Sequence, residues 1–158
     1  MGERRETYAY LWIEGFECDP SEITALIQLA PTETRKAGDL IQGRFERTGQ
    51  RHYWPKSAWK LRSSLSEDTT FQDSHITNIL DAIEPQAAVL RELQTTCETG
   101  INCVGYYWNS NPGFHLSANL IGRCARLGLS IDFDLYNYPE ENEEAEQAAA
   151  SDGDKPPI

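Results

Sequence analysis

The chain has 158 residues, an apolar fraction of 39% and a formal net charge of -11. That length suits one domain with a hydrophobic core, and the acidity argues against nucleic-acid binding, which draws its energy from basic groups on phosphates. No run approaches the roughly 20 apolar residues that cross a bilayer, and the charged opening Met1–Glu6 does not read as a signal peptide, so a cytoplasmic protein without a membrane partner is expected.

Residues 7–14, "TYAYLWIE", alternate as a strand does, with Thr7, Ala9, Leu11 and Ile13 in one row and Tyr8, Tyr10, Trp12 and Glu14 in the other. Asp19-Pro20-Ser21-Glu22 then opens a helix, with Asp19 as N-cap, Pro20 in the first turn and Glu22 at capping-box spacing. Pro31 ends it. Residues 32–51 are polar and contain Gly38, Gly43 and Gly49, which reads as a long loop with a short strand at 40–45. Trp59, Leu61 and Ser63 alternate on a further strand beyond Pro55.

The longest apolar stripe lies in residues 74–96, through Ile76, Ile79, Leu80, Ile83, Ala87, Leu90 and Leu93, with Ser74 as its cap. Pro85 falls inside it and predicts a kink or a split. A strand follows at 101–109, then a turn at 109–113, a short extended piece at 114–116, and a helix capped by Ser117 and closed by Gly128. The last strand is 130–136, "SIDFDLY". The order predicts an α+β domain over 1–139, a largely antiparallel sheet with helices on one face. Two similar capped helices, in "DPSEITALIQLAP" and "LSANLIGRCARLGLS", leave open a pair of ferredoxin-like half units. Residues 140–158 hold seven acids and one lysine and end near Pro-Pro, the composition of an acidic disordered tail.

A period of two puts Asp132, Asp134 and Tyr136 on one face of the last strand and Ile131, Phe133 and Leu135 on the other, toward the helices. With Tyr8, Tyr10, Trp12, Glu14, Tyr106 and Trp108 the acids then form an aromatic, acidic sheet face. Such a face suits recognition of another protein, a basic one given the charge. The rival is that residues 32–58 fold back and bury it. The enzyme or small-ligand alternative rests on Asp132 and Asp134 with His52 or His115 as acids and bases. No GxGxxG, P-loop or GxSxG motif is present. Two carboxylates, three scattered histidines and four cysteines without CxxC predict no metal, no cofactor and free thiols.

Four stretches carry a resemblance. They are Asp19-Pro20-Ser21-Glu22-Ile23 with Leu29, Pro31-Thr32 and Gly38-Asp39; Trp59-Lys60-Leu61 with Ser63-Ser64; Asn111 to Ser117; and Leu127 to Tyr136. In this order and spacing the chain resembles the bacterial family called domain of unknown function 4279. The resemblance implies no particular activity. Small domains of this kind are candidates for immunity proteins of toxin systems, a possibility that rests on type and not on a matched residue.

Overall fold

A computed structural model describes residues 5–68, 70–108 and 113–138. The acidic tail expected over 140–158 lies outside these residues, as does most of the turn expected at 109–113.

Strand β1 (Arg5–Glu14) is the centre of a five-stranded sheet. It pairs antiparallel with β3 (Ala58–Arg62) on one side and with β4 (Glu98–Trp108) on the other. The short β2 (Glu33–Arg35) adds antiparallel to β3, and β5 (Ser130–Tyr138) adds parallel to β4. The spatial order is β2-β3-β1-β4-β5. A parallel neighbour needs a crossover long enough to return the chain, and residues 109–129, which carry α5 (Ala118–Arg126), supply it.

The alternation in β1 becomes a two-sided strand. Thr7, Ala9, Leu11 and Ile13 are fully buried against the helices. Helix α1 (Pro20–Ile27) starts at the complete capping box of Asp19 and Glu22. It seats Ile23 and Ile27 beside Trp59, whose Nε1 donates to Thr24 Oγ1 at 3.0 Å. Helix α3 (Gln72–Ile83) brings Ile76, Ile79, Leu80 and Ile83 into the same core. Pro85 splits the long stripe. A 3-10 turn, Glu84–Gln86, separates α3 from α4 (Ala87–Leu93). Helix α3 begins earlier than the sequence predicts, with Phe71 rather than Ser74 at its N-cap.

Arg123 ties α5 to the end of α3. Its guanidinium donates from Nη2 to Asp81 Oδ1 at 2.6 Å, and from Nε and Nη2 to the two Glu84 oxygens at 2.7 and 2.9 Å. This holds the Glu84 carboxyl below its ordinary range. Gly128 takes φ +66° after α5, and Leu129 N donates to Cys124 O, which closes the helix in a Schellman-type turn. Gln94 Nε2 donates to Leu127 O at 2.9 Å and so joins that turn to the end of α4.

Two expectations need correction. The strand expected at 40–45 is instead a single bridge, Leu40 to Tyr53, followed by helix α2 (Gln42–Thr48). Residues 40–45 lack the alternation that would reward pairing on a sheet, and local bonds such as Thr48 Oγ1 to Arg44 O support a helical turn. Nor do two equivalent ferredoxin-like halves emerge. The neighbour that follows β1 and α1 pairs antiparallel, whereas the neighbour that follows β4 and α5 pairs parallel.

Candidate functional site: the open face of the sheet

The ladder registers fix which side chains share the helix-free face. Tyr10 stands opposite Arg62 and Asn102, Trp12 opposite Lys60 and Gly100, and Glu14 opposite Ala58 and Glu98. Asn102 pairs with Asp132, Val104 with Asp134 and Tyr106 with Tyr136. All nine residues proposed from sequence, Tyr8, Tyr10, Trp12, Glu14, Tyr106, Trp108, Asp132, Asp134 and Tyr136, therefore lie on one face.

The rings are organised. Tyr106 stacks on Tyr136 at 5.0 Å between centroids, Trp108 on Tyr138 at 5.3 Å, and Tyr8 beside Tyr10 at 6.4 Å. Offset stacking at such distances orders the rings and leaves their outer faces available. Asn102 Nδ2 donates to Tyr10 Oη at 2.8 Å. Burial, first, and the neighbouring Tyr106 hold the Tyr8 phenol above its ordinary pKa. The Tyr136 phenol is also raised, by its hydrogen bond to Asp134.

Sequence reasoning missed the basic third of this face. Lys60 and Arg62 form the row of β3 that alternates with buried Trp59 and half-buried Leu61, a period-two signal like that of β1. Arg62 lies over the Tyr8 ring at 3.7 Å and Lys60 over the Tyr10 ring at 4.9 Å. Both are also matched by acids: Arg62 to Glu67 at 2.6 Å and Lys60 to Glu33 at 3.6 Å. Arg35 is bound to Glu14 at 2.6 Å. The face thus runs from neutralised cations on β2 and β3, across aromatics on β1 and β4, to the acids of β5. A shallow groove of about 310 Å³ crosses it between Tyr10, Trp12, Lys60, Asn102 and Asp132.

Residues 32–58 do not form a lid over these rings. Gly38 N donates to Trp54 O, Trp54 N to Asp39 O and Ile41 N to His52 O, so the segment closes on itself. Its β2 strand continues the sheet beyond β3, and Lys56 meets Glu98 at 2.7 Å at one end of the face. Tyr8, Tyr10, Trp12, Tyr106 and Trp108 all remain half-buried, with solvent reaching part of each.

The proposed acid-base set is not assembled. His52 sits in the self-closed segment that follows β2 at one edge of the sheet, and Asp132 and Asp134 sit on β5 at the other edge. His115 is exposed beside a second cavity of about 440 Å³, with Phe71, Gln72, Asp73 and Phe114. Among the described residues, His115 lines the second cavity and Asp132 the groove on the sheet face. The histidine inside the fold is His75, fully buried, with Nδ1 2.9 Å from Ser63 Oγ. Burial lowers its pKa below the usual histidine value.

Among the described residues no three His, Cys, Asp or Glu side chains gather as a metal site, and no helix is long and apolar enough to cross a membrane. The four cysteines are free thiols, and burial pushes Cys103 up to about 12, far from a reactive thiolate.

No curated protein and no solved structure matches the chain. Residues 5–138, which include every strand of the sheet, match the family described as Domain of unknown function (DUF4279), and the chain belongs to that family.

Proposed function

We propose that this domain is a non-catalytic protein-binding module of the cytoplasm, and that its open sheet face receives a basic partner. The observation that carries this reading is the composition of the face: stacked, part-exposed aromatic rings bordered on β5 by Asp132 and Asp134. Aromatic residues at the centre of a recognition surface supply large contact area at low entropic cost. The cations across the face are already matched by Glu14, Glu33 and Glu67, which leaves the β5 acids as the charges best placed to attract a partner. An immunity role, in which such a domain neutralises a basic toxin, is one form this binding takes. The same logic disfavours nucleic acid, because the basic groups on the face are neutralised.

The test is affinity capture from the native cell with the wild-type chain and with Asp132→Lys/Asp134→Lys, both folded by circular dichroism. Capture of a lysine- and arginine-rich protein by the wild type, lost in the double variant, supports the reading. Equal capture by both overturns it.

A further inference from the structure

Strand β5 ends the sheet. Its ladder runs to β4 on one side, and no described strand pairs with its other side. Alternate residues therefore turn backbone N–H and C=O groups outward, as at any sheet edge. The opposite edge is blunted by its brevity, because β2 has 3 residues; β5 has 9. Its sequence contains neither proline nor lysine, and its register with β4 runs unbroken from Ser130 to Tyr138, so no bulge bends it away.

The side chains beside that edge carry a two-sided code. On the helix side, Phe133 and Leu135 are 45% and 44% exposed, although their register partners Cys103 and Gly105 are buried. The cause is length. Helix α5 rises about 1.5 Å per residue and β5 about 3.3 Å, so nine residues of helix cover less than half of nine residues of strand. Phe114 meets Phe133 edge-on at 4.3 Å, and both Phe133 and Leu135 stay part-exposed. On the other side stand Asp132 and Asp134, with no ion pair to either among the described residues. A second copy is a poor occupant. Antiparallel pairing of two β5 strands about Phe133 sets Asp132 against Asp134, and opposed like charges destabilise a strand pair.

We infer that β5 is an acceptor edge for an extended segment of a partner protein in which lysine or arginine alternates with apolar residues. The added strand continues the sheet, lays its apolar row beside Phe133 and Leu135, and sets its basic row against Asp132 and Asp134. This is strand addition, in which main-chain bonds give affinity and alternate side chains give specificity. It rests on the open-face reading and names the form of the partner.

The probe is a capped, fluorescently labelled nonapeptide alternating lysine and valine, titrated against the full chain by anisotropy. A control has the same composition with the lysines and valines in two blocks. Two further peptides carry backbone N-methyl groups on one or the other alternate set of residues, so that each deletes hydrogen bonds along one edge only. The alternating peptide is expected to bind at least about tenfold more tightly than the blocked one, and about tenfold more weakly to Asp132→Asn/Asp134→Asn, the order expected of a few exposed charge pairs. One N-methyl set is expected to abolish binding and the other to leave it intact. Equal binding of alternating and blocked peptides overturns the inference, as does chain dimerisation that competes with the peptide. A flat N-methyl series beside acid-dependent capture of a basic protein overturns the edge and leaves the open-face reading standing. The alternate N-methyl signature beside capture indifferent to Asp132→Lys/Asp134→Lys supports the edge and overturns that reading.

Discussion

Trp12 lies over Gly100, its opposite residue in the β1–β4 ladder, so closely that a Cβ at residue 100 would stand 2.6 Å from Trp12 Cζ2 and 2.6 Å from Ser130 Oγ. The indole uses the space that any other side chain would fill. An aromatic ring covering a strand glycine recovers packing that the glycine forgoes. Gly100→Ala is therefore expected to cost about 1–3 kcal/mol in urea unfolding, the range for overpacking. Shortening the ring in Trp12→Leu should recover part of that loss in the double variant. Additive effects of the two changes would show that the contact is not the cause.

The Arg123 fork makes a second prediction. Arg123→Lys keeps the charge and cannot span Asp81 and Glu84 with a planar fork. Because the Asp81 and Glu84 side chains are 65% and 39% exposed, the expected loss is discounted for solvent to about 1 kcal/mol. The Glu84 pKa is depressed in the folded state. Its contribution is thus fully present above the unfolded value of about 4.3 and is lost as pH falls through the folded value. Denaturant midpoints of Glu84→Gln and wild type should converge as pH drops below about 4. A constant gap would count against the ion pair.

His75 acts in the opposite chemical sense but in the same pH direction. Burial lowers its folded pKa, so the unfolded chain takes up a proton first as pH falls. Stability should decline below about pH 6.5, the unfolded histidine value, until the folded value is reached. His75→Leu/Ser63→Ala removes both partners of the 2.9 Å contact together. The decline that sets in below about pH 6.5 should flatten in that variant. An unchanged slope would assign the pH sensitivity to another group.

What the sequence disclosed and what it concealed follow from range. The β1 rows, the Asp19 capping box, the Gly128 closure and the Pro85 split are local events, set within a few residues. The parallel place of β5 beside β4 joins residues about thirty positions apart and leaves no periodic trace. The same holds for the Arg123 fork to Asp81 and Glu84, and for the match of Arg35 to Glu14. The grouping of the nine face residues was legible because period two fixes sides. The cations follow the same rule in "AWKLR", where Lys60 and Arg62 alternate with Trp59 and Leu61. The bareness of Phe133 and Leu135 was not legible, since it depends on how far α5 reaches along β5.

Metal dependence gives a fourth test. Asp132 and Asp134 are exposed and have no third ligand among the described residues, and a hard cation needs six or more oxygens. The melting temperature is expected to stay unchanged with chelator and with added calcium, magnesium or zinc. A large shift on chelation that vanishes in Asp132→Asn or Asp134→Asn would contradict this.

The central claim is that the open face meets another protein. Its most direct measurement is in-cell photo-crosslinking with a benzophenone amino acid at position 136 on the face, compared with position 26, an exposed leucine on α1. The expected result is a crosslink from position 136 to a protein rich in lysine and arginine, absent from position 26 and lost when Asp132→Lys/Asp134→Lys is added. Crosslinks of equal yield and identity from both positions, or from position 136 whether or not the acids are reversed, would contradict it.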